Sequence, residues 1–388
     1  TALSCTLLTT LLTSASAAKD INAGNYNAFA ISGETVTIKS GAIVQVGSPV
    51  IDGYKGSNSS IAVGQTNNNI TIEQGGKLNG RIYTRAAKIK DIIINGSIGA
   101  GPSNASIINF RSTTIEKIEV GQTGVLEGGI INSWFKNGGT ASGNSKIDNI
   151  DIKGEVKGGI KNQSGTMQTI TITGSVSGGI QNDDTMGTLK IESGGSVSGD
   201  IINNKTMQNI SVSGSTVNNN IQNSGTITNG VTITNSTIGG NIVNSGSNAN
   251  TGNISITGTS DVKGSIVNQN GANFTNSITL EQNSKLGGIS NNANSTMSGQ
   301  LDLKGEVGTI TNAGTLSSQL NLSNKVGEIN NAEGGTITND ITIQQQGKVE
   351  NITNSGTMQA ITNNATTGTL TLTNSGGTID KITNGTGA

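Results

Sequence analysis

The chain repeats one short phrase, an isoleucine, any residue, then an asparagine. Aligned on the isoleucine, the repeats begin at Ile107, Ile130, Ile160, Ile180, Ile201, Ile221, Ile242, Ile266, Ile289, Ile310, Ile329, Ile352, Ile361 and Ile382. Two positions on stand Asn109, Asn132, Asn162, Asn182, Asn203, Asn223, Asn244, Asn268, Asn291, Asn312, Asn331, Asn354, Asn363 and Asn384. Most intervals are about 21 residues, inside the window of roughly 20 to 50 that marks solenoids and related repeat folds. A second alternation lies between the phrases, as in "TITIT" at 169–173, "LKIES" at 189–193, "ISVSG" at 210–214 and "ITLEQ" at 278–282. Period-two alternation rich in β-branched residues is a strand signal, and the Gly, Asn and Ser clusters between the runs supply corners. No apolar face recurs at helical spacing.

Strands this short cannot each bury a core, so successive units have to stack and share one. The spacing therefore predicts an all-β chain, a single-stranded right-handed parallel β-helix with coils of about 21 residues. Residues two apart in an extended strand face the same side, which puts each asparagine in the interior beside its isoleucine. Asn162, Asn182, Asn203, Asn223, Asn244, Asn268, Asn291 and Asn312 are then expected to form a ladder of side-chain amides, each bonded to the coils above and below. A feature present in every coil is structural, since an active site needs one coil to differ.

Composition narrows the chemistry. Of 388 residues 57 are Gly and only 2 Pro; charged residues make up 12% and the formal net charge is −1. Disorder usually calls for high net charge or Pro and Glu enrichment, and nucleic-acid binding for clustered Lys and Arg, so neither is indicated. The absence of histidine removes Ser-His-Asp and Cys-His triads and His-ligated metals. The Gly-rich turns lack the aspartates of Ca²⁺-binding nonapeptides. No cofactor, metal or catalytic residue is predicted. The candidate acids Asp148, Asp151, Glu155, Asp183 and Asp184, with Lys146, Lys153 and Lys157 nearby, read as solvated corner residues. They are the residues on which the alternative rests, a secreted β-helix enzyme acting on polysaccharide. A Thr-x-Thr ice-binding array fails on repetition, because the positions of "TIT" become "KIE", "SVS" and "TLE" in other coils.

The ends differ from the middle. Residues 1–18, "TALSCTLLTTLLTSASAA", join an apolar run to an Ala-Ser-Ala-Ala site and read as the remnant of a secretory signal peptide. The single cysteine, Cys5, lies within it, so the exported chain would hold no disulfide. Both prolines, all three tyrosines, all three arginines and the tryptophan precede residue 140. Residues 19–60 are read as an N-terminal capping region, since a bare terminal coil exposes an unpaired edge. Residues 61–388 are read as the parallel β-helix, and its repeats run to Ala388 without a cap, so the solenoid is expected to continue beyond it.

One interval is long: about 30 residues separate Ile130 from Ile160, and insertions of this kind form loops on one face, often the binding face. It contains "NSWFKNGGTASGN", and Trp134, Phe135 and Lys136 are the candidate partner-binding residues. Later coils offer Phe274 as their sole aromatic, and aromatic anchors dominate interface energetics.

An export signal followed by cysteine-free coils rich in Gly, Asn, Ser and Thr, such as "ITNSGTMQAITNNATTGTLTLTNSGGTI", resembles the passenger domain of a Gram-negative autotransporter (type V secretion) of the adhesin or vacuolating-cytotoxin-like type. The resemblance spans nearly the whole chain and carries no catalytic motif. It implies a non-enzymatic adhesin or structural stalk, exported through the outer membrane and displayed at the cell surface or released. It further implies a host-cell or bacterial surface protein or glycan as partner, and a C-terminal outer-membrane barrel in the full-length protein. Lack of disulfides suits passage of an unfolded chain, and a solenoid can fold coil by coil as it emerges.

Overall fold

The computed structural model describes residues 18–51, 54–55, 58–133 and 145–385. Strands account for 60% of the protein, and about 17 turns of roughly 21 residues stack as a parallel β-solenoid. A 3₁₀ turn at Pro102–Asn104 is the only helical element among the described residues.

One coil shows how the sequence produces the wall. Ile160–Asn162 is a short strand, Thr166–Ile172 a long one, and Ser175–Val176 closes the turn before Ile180 begins the next coil. Alternation sends Ile160, Asn162, Met167, Ile170, Ile172 and Val176 inward, and all are fully buried. The next coil sits on it in parallel register, with Ile160 on Ile180, Met167 on Met186, Ile172 on Ile191 and Val176 on Val197. Five apolar side chains and one asparagine per coil make a narrow core that has no depth without its neighbours. Corners are set by backbone clearance: a Cβ on Gly129 would lie 2.1 Å from the Gly159 carbonyl oxygen of the next coil, so no larger residue fits.

The cross-section changes partway along. In the first half the long side is Thr166–Ile172, Thr185–Glu192 or Thr206–Ser213, and a corner separates the closing strand from the Ile-x-Asn strand. From residue 261 the closing strand and the Ile-x-Asn strand are fused, as Asp261–Gln269, Lys285–Asn291, Glu306–Asn312, Lys325–Asn331 and Lys348–Asn354, and the former long side is broken in two. The switch follows the spacing of inward residues. Met167 to Ile170, Met186 to Leu189 and Met207 to Ile210 are offsets of three, which a strand absorbs without turning. Met297 to Leu301, Leu316 to Leu320 and Ile337 to Ile341 are offsets of four, with "SGQ", "SSQ" and "TND" between them to make a turn. On the other side the exchange is reversed: Val176 to Ile180 is four, Val307 to Ile310 is three.

Region 19–60 contributes strands to the stack itself: Ala18–Ile21 pairs with Thr35–Ile38, and Phe29–Ser32 pairs with the strand beginning at Ser59. An antiparallel hairpin, Val50–Ile51 with Tyr54–Lys55, departs from the otherwise parallel ladder. Two of the fourteen isoleucines belong to another column. Ile361 pairs with Ile341 and Ile382, whereas the strand below Ile352–Asn354 is formed by Leu372 and Asn374. The local phrase is the same in both columns, and strand pairing alone tells them apart.

Candidate functional site

The buried asparagines are the most regular polar feature. Twelve Nδ2-to-Oδ1 hydrogen bonds of 2.8–3.4 Å run without a gap from Asn109 to Asn374 through Asn132, Asn162, Asn182, Asn203, Asn223, Asn244, Asn268, Asn291, Asn312, Asn331 and Asn354. Most of these amides also donate to corner carbonyls, as Asn162 does to Gly165 at 3.1 Å and to Thr185 of the next coil at 2.8 Å. Upstream the column is apolar, Ile31 then Val63, and Thr84 Oγ1 opens the polar run by donating to Asn109 Oδ1 at 3.0 Å. From Asn109 to Asn354 the ladder residues are at most 3% exposed, so their amides hold the stack and are closed to any ligand.

The ladder has one irregular link. Asn223 and Asn244 are 3.4 Å apart, and Thr251 bridges them, accepting from Asn223 at 2.9 Å and donating to Asn244 at 3.0 Å. Thr251 stands below Ile227, in a column that reads Met167, Met186, Met207 and Ile227 in the coils before it. It falls in the stretch where the cross-section changes, and its hydroxyl restores the link.

Of the candidate acids, Asp148, Asp151 and Asp184 form ion pairs with lysines. Lys146 meets Asp148 at 2.7 Å, Lys117 lies 3.6 Å from Asp151 and also pairs with Glu119, Lys153 reaches Glu119 at 2.8 Å, and Lys157 reaches Glu127 at 2.9 Å. Hydrogen bonds from Lys117 and Lys153 hold the Glu119 carboxyl below the usual carboxylate range, and the bond to Glu119 pushes the Lys117 ammonium up. A glycosidase acid needs a carboxyl pushed the opposite way. Glu155 sits in the closing-strand column between Val125 and Ser175. Asp183 accepts from Gln181 and Asn204, and Asp184 from the Gly165 amide and Lys205, so these two brace a corner. Among the described residues no group of three or more potential ligands is placed to hold a metal ion.

Trp134, Phe135 and Lys136 lie outside the described residues. The base of their insertion is defined: it occupies the corner between Asn132 and Ile147, where Asn132 Nδ2 donates to the Ser145 carbonyl at 3.3 Å and Ser145 Oγ to that of Ser133 at 3.2 Å. Beside it is a feature the sequence reading missed. Phe110 pairs in register with Ser133, and its ring lies 5.7 Å from that of Tyr83, with Arg81 5.7 Å from the Tyr83 ring centre. The available signal was the clustering of aromatic residues and arginines before residue 140; bringing these three together required the stack.

Taken together, the wall, the polar spine and the inserted corner define a parallel β-solenoid built for rigidity, with its variable chemistry on the outside. No protein-family model matches the chain, and no curated protein shows significant similarity to it.

Proposed function

We propose that this chain is a surface-displayed or secreted β-solenoid acting as an adhesin or structural stalk of the autotransporter-passenger type, with no catalytic role. It holds a partner-binding corner, centred on Trp134, Phe135 and Lys136, away from its point of attachment. The partner is a surface protein or glycan on a host or neighbouring cell. The observation that carries this reading is the continuous buried ladder: in coil after coil the polar interior is used to fix the stack, and length is what such repetition builds. The Tyr83–Phe110 pair beside the inserted corner adds an aromatic surface of the kind that anchors proteins and sugars.

The corner can be removed cleanly. Deleting residues 134–143 leaves Asn132 and Ile147 five positions apart, the same offset as Asn162 to Met167. The shortened protein is expected to keep its β-sheet circular dichroism and lose attachment to cells or immobilised glycans. Full attachment by the folded deletion variant would overturn the loop as the binding element, and release of sugar from a polysaccharide panel would overturn the non-enzymatic reading.

A further inference from the structure

The fused strands of the second half create a surface absent from the first. Lys285–Asn291, Glu306–Asn312, Lys325–Asn331 and Lys348–Asn354 lie side by side as a flat wall. Gly287, Gly308 and Gly327 line a shallow groove of about 300 Å³ along it. A Cβ at each of these glycines would lie 2.3, 2.1 and 2.7 Å from a carbonyl oxygen of the preceding coil, and Glu350 follows them in the next coil. One column along the groove is charged in successive coils, Asp261, Lys285, Glu306 and Lys325, and Lys263, on the Asp261 strand, lines the groove as well. In the four coils before Asp261 the same column reads Ser175, Ser196, Thr216 and Thr237, and the upstream charges Lys77 and Glu155 stand singly, so a run of alternating charges is a departure.

We propose that this wall is a homophilic interface that docks a second copy of the chain with the two solenoid axes antiparallel. The order minus, plus, minus, plus is its own complement when reversed. A two-fold axis parallel to the strands, midway between the Lys285 and Glu306 coils, sets Asp261 opposite the second copy's Lys325 and Lys285 opposite its Glu306, and the reciprocal pairs follow from symmetry. Sliding one copy by one coil brings Lys285 against the second copy's Lys325 and Glu306 against its own counterpart, so the charges select one register. Within one chain Lys285 pairs with Glu306 at 3.5 Å, Lys325 with Glu350 at 3.2 Å and Asp261 with Lys263, all at the exposed surface, where ion pairs are weak enough to exchange for those of a partner. The glycine groove lets the two walls approach closely. Four strands of seven residues cover roughly 450 Å², about half of a standard interface per partner, so the dimer is weak and gains strength only where many copies are displayed together. The proposal deepens the adhesive reading by naming a second copy as partner. The loop-deleted chain retains this wall, so the two can fail separately.

Sedimentation equilibrium up to about 0.5 mM protein tests it, at about 10 mM ionic strength, where the screening length is about 30 Å, and again at 1 M, where it is about 3 Å. The wild-type chain is expected to dimerise at low ionic strength and dissociate at high. The all-negative column (Lys285→Glu with Lys325→Glu) and the all-positive column (Asp261→Lys with Glu306→Lys) should each be monomeric, and a one-to-one mixture should form a heterodimer. Lys285→Ser with Glu306→Thr, which restores residue types the column carries elsewhere, covers the case in which a charge-swapped chain misfolds, and it should also be monomeric. A wild-type chain that stays monomeric throughout, a Ser/Thr variant that dimerises like wild type, or folded charge variants that fail to combine would each overturn the proposal.

Discussion

An asparagine in this stack is tied to two coils at once. Asn182 accepts from Asn162 above and donates to Asn203 below and to the Thr206 carbonyl, all at 2.8–2.9 Å and fully buried. Leucine at this position offers neither donor nor acceptor, so the amides on both sides lose a partner where water cannot replace it. Asn182→Leu is expected to lower stability by about 1–3 kcal/mol in urea denaturation. Asn384 follows an isoleucine in the same way, yet it is exposed and stands in the other column, at the end of the chain's described part. Asn384→Leu should change stability by less than about 0.5 kcal/mol. Equal losses for the two variants would show that the phrase itself, rather than the buried ladder, carries the effect.

Strands and corners tolerate length differently. The corner after the ladder asparagine varies freely: Asn182 to Met186 is four positions, Asn162 to Met167 five, Asn268 to Phe274 six and Asn244 to Thr251 seven. Ladder amides satisfy corner carbonyls in the four-, five- and six-residue cases, as Asn268 does for Ala272 at 3.0 Å, so an extra residue there projects outward. Within the period-two part of the long side the offset is constant, two from Leu189 to Ile191, Ile210 to Val212, Val231 to Ile233 and Leu301 to Leu303, because one added residue turns the following inward side chains to solvent. A glycine inserted after Lys190, between Leu189 and Ile191, is therefore expected to cost about 2 kcal/mol or more, while one inserted after Ser164 should cost less than about 1 kcal/mol. Paired thermal melts would check this, and similar losses at both sites would contradict the account.

Over the whole molecule each coil contacts only its neighbours, and about 17 turns at about 4.8 Å per strand give a rod on the order of 80 Å long. Small-angle scattering from dilute protein at high ionic strength, where the side-to-side association proposed above is suppressed, should return a maximum dimension near that length and the profile of a rod. A compact particle would contradict the stack. The core that fixes this length is shallow everywhere, so no coil makes the molecule stable alone; rigidity along the axis comes from repeating the same few contacts.

Much of this was written in the sequence, because a stack forces each coil to reproduce the interior of the one beneath it. The isoleucine and asparagine columns, the strand alternation and the solenoid class were all legible from spacing. The offsets of three and four that move the corners were legible too, though they gain meaning only once inward positions are known. Other features depended on the tertiary structure. The assignment of Ile361 and Ile382 to a second column rests on which strand each one bonds, and an identical local phrase cannot carry that. Thr251 entered the asparagine ladder because a change of cross-section brought its hydroxyl there. Asp261, Lys285, Glu306 and Lys325 lie 19 to 24 positions apart along the chain, at unequal intervals set by corners of unequal length. Periodicity determined that coils would stack; the hydrogen-bonded register between coils decided which distant side chains became neighbours.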